Sequence, residues 1–161
     1  MGGHEVESGA IAAAMRMVEA LNNRTDIPAD EFEAAVRAEV VYWGLDTLTK
    51  ALLLLIGVGF SVVTFPDDEP ELRFRIIGAG VDRLHRLRLE EVPDELLPTV
   101  AGAYTAAVLG QDVYAWRASL GPIPDGEWLV WLYATWLMVE SLEDYLGEGE
   151  FGRIVVRLTE R

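Results

Sequence analysis

Residues 40–65, VVYWGLDTLTKALLLLIGVGFSVVTF, hold only two charges in twenty-six positions, Asp46 and Lys50, and Lys50 is the only lysine in the chain. A stretch this apolar belongs in a core or in a bilayer, and its length decides between them. Ala51 to Phe65, its longest charge-free run, has fifteen residues, against the roughly 20 a spanning helix needs. Lengthening the run backwards would bring Asp46 and Lys50 into the hydrocarbon, and no basic cluster flanks it to set an orientation. The stretch reads as a central helix of a globular domain, with no membrane span.

The rest of the chain is consistent with such a domain. At 161 residues it fits one domain, 1–161, which buries about 70% of the surface its unfolded chain exposes. Cysteine is absent, so disulfides and thiolate chemistry are excluded, and a cytoplasmic location is the default expectation. Two histidines, His4 and His85, cannot alone build a metal site. The N-terminus lacks the basic region of a signal peptide.

Twenty-seven acids against thirteen bases give a formal charge of −14. The excess is even along the chain: thirteen acids against six bases up to residue 80, fourteen against seven beyond it. A field of that sign repels nucleic acid and anionic membranes and suits a basic protein partner.

Helical periodicity dominates. A first helix is expected from a Ser8 cap to about Asn22, then a turn to Pro28. A second opens near Pro28, with acids at its positive dipole end and a stripe through Phe32, Val36, Val40, Trp43 and Thr47. It is expected to run to about Ile56, with every face buried from Val40 onward and Gly57 and Gly59 as its breakers.

Residues 58–77 admit two readings. Alternation in Val58–Phe65 and Glu71–Ile77 around the Pro66–Pro70 turn suits a β-hairpin. A helical wheel instead gathers Phe74, Ile76, Ile77, Gly80, Val81, Leu84 and Leu87 opposite Glu71, Arg75, Asp82, Arg83, His85 and Arg86. The helix explains more residues and is preferred, anchored by the acidic turn Asp67–Glu69.

Further helices follow from Pro93 to about Gly110, from Gln111 to Leu120, and from Pro124 onward, where Trp128–Val139 carries no charge and makes a second central helix. The tail from Phe151 suits a strand or a short helix equally. The expected fold is therefore mostly α, a compact single-domain bundle of about five to six helices. The alternative is α+β, with a hairpin at about 58–77 and a C-terminal strand.

Four constellations are candidates for chemistry. Asp46 and Lys50 stand one turn apart, acid before base, either as an intrahelical ion pair or as a functional pair with a desolvated amine. Arg75, Arg83 and Arg86, with His85, form the one basic island in an acidic chain, suited to an anionic group unless Glu71 and Asp82 neutralise it. Trp116, Trp131 and Trp136 lead an aromatic set that either lines a pocket or fills the core.

Glu140, Glu143 and Asp144 lack the Glu-x-x-His pairs of a di-metal helix, and Gly78-Ala79-Gly80 lacks the context of a phosphate loop. No metal or cofactor is expected. Two functions fit this inventory. The favoured one is a non-enzymatic, self-associating interaction or assembly protein, an acidic helical adaptor, chaperone or inhibitor forming a homo-oligomer. The other is a small-molecule-binding protein or enzyme with a tryptophan-lined apolar pocket and an arginine anion site.

Overall fold

Gly44, with φ at +83°, ends one helix and starts another in the middle of the stretch expected to be continuous. A computed structural model describes the backbone of residues 2–23, 26–62, 69 and 71–159 and the side chains of 9–23, 26–61, 69 and 71–157. Among them are eight α-helices: α1 (Gly2–Asn22), α2 (Ala29–Trp43), α3 (Leu45–Val62), α4 (Leu72–Leu87), α5 (Leu97–Val108), α6 (Val113–Ser119), α7 (Trp128–Leu146) and α8 (Glu150–Thr159). Short 3-10 turns, Asp94–Leu96 and Asp125–Glu127, lead into α5 and α7, where Pro93 and Pro124 predict helix starts.

The mostly α class is correct, with two helices more than the upper figure of the five to six expected. One helix comes from the Gly44 elbow, where α2 and α3 meet at 105°. The other is α8. The strand alternative is overturned: residues 58–62 complete α3, residues 72–77 open α4, and the tail is helical. Phe60 is buried and Ser61 exposed, both on α3: alternation over so short a stretch fits a helix as readily as a strand. The remaining hairpin positions, 63–68 and 70, and with them Asp67 and Asp68 of the acidic turn, lie outside the described residues. Ser8 stands inside α1, which begins at Gly2, rather than at its start.

The two charge-poor segments form the centre. α3 packs against α1, α5, α6 and α7, and α7 packs against α3, α4, α1 and α8. Leu48, Leu52, Leu53, Leu55 and Ile56 are buried on α3, as are Trp131, Leu132, Ala134 and Val139 on α7. Gly57 and Gly59 continue α3. At Gly59 a Cβ would stand 2.8 Å from Met138 Cε and 3.2 Å from Leu142 Cδ1, so its missing side chain is what brings α3 and α7 together. A helical glycine costs about 1 kcal/mol relative to alanine, which the close packing offsets.

α2 departs from the expectation of burial on every face. Phe32, Val36, Val40 and Trp43 are half-buried along the predicted stripe, but no residue of α2 is fully buried. Val41 and Tyr42 are 80% and 77% exposed, because α2 packs mainly against α1 and α3 and covers one stripe. No single helix among the described residues is long and apolar enough to cross a membrane. α2 and Leu45–Ser61 pass that test only as a bent pair, by length and composition.

Tyr104 of α5 is fully enclosed between α4 and α7, and its hydroxyl donates to the carbonyl of Ala134. Burial pushes its phenol well above the ordinary value of 10.0. The folded state therefore holds the proton more tightly than the unfolded one. The associated stability is intact below pH 10 and is lost above it, by about 1.36 kcal/mol per pH unit for one proton. Tyr104→Phe is expected to cost about 1 kcal/mol at neutral pH through the lost hydrogen bond and to flatten the alkaline decline. Urea unfolding at pH 8 and pH 11 checks this, and equal slopes for both proteins would refute it.

Candidate functional site

The most constrained chemistry in the molecule lies around the turn between α6 and α7. α6 is a short helix capped by Asp112, whose carboxylate accepts from the Ala115 N–H at 2.9 Å. Its last turn points Arg117 inward, where Arg117 and Glu127 have side chains only 8% and 6% exposed. Arg117 Nε donates to Glu127 Oε2 at 2.7 Å and Nη2 donates to Oε1 at 2.9 Å, a bidentate pair.

The guanidinium also donates to the carbonyl of Gly121 at 3.1 Å and to that of Pro122 at 3.4 Å. Trp131, one turn into α7, donates its indole N–H to Glu127 Oε2 at 2.9 Å. A buried ion pair adds little net stability unless its remaining donors and acceptors are met. Here they are met by the turn, which is thereby fixed in place.

The outer side of that turn forms one wall of an open cleft of about 350 Å³. Leu45, Asp46 and Thr49 contribute from the first turns of α3, Tyr114 and Ala118 from α6, and residues 121–125 close it. Its apolar walls are Leu45, Pro122, Ile123 and Pro124. Among the described residues, the only charged ones lining it are Asp46 and Asp125, both exposed. Lys50 reaches over the ring of Tyr114, 5.5 Å from its centroid. The side chain of Lys50 is exposed rather than enclosed, so the apolar sequence around it does not amount to an apolar site.

The basic island meets acids within the chain. Arg86 lies 3.0 Å from Asp82, and Arg75 lies 4.0 Å from Glu69. His85 Nε2 is 3.8 Å from Asp94 Oδ1. Arg83, which has no acid four residues before it, instead crosses to α7, pairing with Asp144 and donating to Ser141 Oγ at 3.4 Å.

Arg83 borders an acidic basin of about 660 Å³ with Asp26, Glu140, Glu143, Asp144 and Glu148. No group of three or more His, Asp or Glu among the described residues is arranged to hold a metal ion. His85 lies apart, on a shallow groove between α4 and α5 beside Ile77, Val81 and Leu97.

The tryptophans are placed inside. Trp131 is wholly buried, and Trp136, 6% exposed, donates its N–H to Asn22 Oδ1 at 2.7 Å. Trp116 is half-buried and lies over Gly102, where a Cβ would come within 2.6 Å of its ring. None of the three clefts joins a tryptophan to an arginine of the island. Of the residues singled out in the sequence, Asp46 and Tyr114, the latter from the aromatic set, line the cleft beside the buried pair.

Arg117 and Glu127 were not anticipated. Their signal is a lone arginine closing a short apolar helix, a Gly-Pro-Ile-Pro turn, and a lone glutamate before a charge-free helix. No family model, curated protein or solved structure matches the chain.

Proposed function

We propose that the protein is a non-enzymatic interaction protein, an acidic helical adaptor that receives a positively charged, partly apolar segment of a partner protein in the cleft between α3, α6 and residues 121–125. The observation that carries this reading is the charge of the lining. Among the described residues, the only charged groups that line the cleft are carboxylates, on a chain of net charge −14, while the arginines of the island are met by the chain's own acids. Apolar walls beside acidic rims suit an amphipathic basic segment, and complementary charge raises the association rate as well as the selectivity. The exposed Val41 and Tyr42 beside the Gly44 elbow offer a separate apolar contact, through which copies of the chain would self-associate.

The test is fluorescence anisotropy with a labelled dodecapeptide alternating Arg and Leu, beside a control alternating Glu and Leu. Binding of the basic peptide that weakens with salt is expected, and none by the acidic one. Asp46→Asn and Asp125→Asn should each weaken it by up to about fivefold, the upper end for an exposed ion pair. Equal binding of both peptides, or none of either, would remove the proposal.

A further inference from the structure

Thr49 is the polar residue of the cleft that the fold leaves unanswered. Hydroxyls inside helices commonly return to the carbonyl four residues before. Thr105, Thr135 and Ser141 do so, to Ala101, Trp131 and Leu137, at 2.8, 2.7 and 2.8 Å. Thr49, at 6% exposed, is about as enclosed as Ser141 at 5%, yet its hydroxyl has no hydrogen-bond partner among the described residues. Nor is its oxygen among the side-chain atoms sealed from solvent without a partner. The small part of Thr49 that remains accessible therefore faces the cleft it lines. A buried hydroxyl in that position is a ready hydrogen-bond partner for whatever enters.

We infer that the cleft takes a single arginine side chain of the partner, its guanidinium donating to Thr49 Oγ1 at the floor and to the carboxylate of Asp46 at the rim. This rests on the reading that a positively charged segment meets the cleft, and narrows it to one residue and one set of partners. The spacing supports it: Asp46 and Thr49 are three residues apart on α3 and so lie on the same side of the helix. A guanidinium is a planar fork of five donors, able to serve a hydroxyl and a carboxylate together, whereas an ammonium is a point charge.

Leu45, Pro122 and Ile123 offer apolar surface for the three-carbon stem. The volume, about 350 Å³, sits at the low end of the roughly 300–1,000 Å³ of ligand sites and suits one side chain rather than a helix. The wall at 121–122 is already held by Arg117, so little ordering is left for the binding step.

The experiment is an amide-proton NMR titration of the full ¹⁵N-labelled chain with acetyl-Leu-Arg-Leu-amide. The control is the same peptide carrying citrulline, which keeps the shape and removes the charge. Shifts are expected at Thr49, Ala118 and Gly121, with the citrulline peptide at least about tenfold weaker, as losing a hydrogen bond to a charged group implies. Thr49→Val should weaken the arginine peptide by several-fold and Thr49→Ser should preserve it. If Thr49→Val disturbs the fold, the serine variant and the citrulline comparison still decide.

Equal affinity for citrulline, no effect of Thr49→Val in a folded protein, or shifts confined to the basin at Glu140–Glu148 would overturn this inference while leaving the wider reading standing. Failure of both this peptide and the Arg-Leu dodecapeptide to bind would overturn both.

Discussion

Glu127→Leu is expected to destabilise the protein by about 3–5 kcal/mol, the range for leaving one member of a buried ion pair without its partner. Glu127 serves three donors at once: two from Arg117 and the indole N–H of Trp131. Without it a guanidinium stays enclosed beside apolar side chains, and Trp131, itself wholly buried, loses its partner. At roughly 2–4 °C of Tm per kcal/mol for a chain of this size, the melting point should fall by about 6–20 °C.

The double variant Arg117→Met/Glu127→Leu should recover most of the loss, because both charges then leave the interior. It should not recover peptide binding in the cleft. The carbonyls of Gly121 and Pro122 lose the donors that hold that wall, so stability and binding would separate. A single variant as stable as the parent in thermal unfolding would show that the pair is not enclosed as described.

The second large effect is expected at the other end of the core. Phe151 is 0% exposed and Val155 2% exposed, four residues apart on α8, which packs against α1 and α7. Phe151→Ala should cost about 3–5 kcal/mol, as truncation of a fully buried phenylalanine does. Val156, beside Val155 but 50% exposed, provides the contrast, and Val156→Ala should stay within about 0.5 kcal/mol. Urea midpoints of the two variants give the comparison. Similar values would mean that α8 does not dock through the face that carries Phe151.

What the sequence conveys and what it withholds divide along one line: local pattern against partner. Trp128–Val139 and Ala51–Ile56 announce their central positions because an uncharged stretch of helix has nowhere else to go. Pro93 and Pro124 announce helix starts because of their fixed φ. The glycines are less transparent. Gly44 and Gly59 look alike in sequence, yet one supplies a left-handed φ that ends a helix and the other supplies room for Met138 inside one. Which role a glycine takes depends on a side chain some eighty positions away.

Val41 and Tyr42 mislead for a related reason. Apolar character on every side implies burial on every side only when neighbours exist to cover it, and α2 has neighbours along one stripe. The site is legible only through Asp46 and Tyr114. The sequence offers Arg83 acids on its own helix, but its partner stands on α7, sixty-one residues on. Arg117 and Glu127, ten residues apart across a turn, give no periodic signal. Thr49 carries none either, since a threonine bonded to its own helix and one facing a cleft read identically.

The elbow at Gly44 also grades the molecule's resistance to opening. α2 is held to its neighbours by one half-buried stripe and an ion pair between Arg16 of α1 and Glu39 at 3.2 Å. Releasing it would uncover far less apolar surface than releasing α3 or α7, so its amides belong to a separate, shallower cooperative unit than those of the two central helices. The bend that turns α2 away from α3 thus leaves the molecule with a detachable outer rung, able to fray and re-form while the core around Leu52 and Trp131 stays shut.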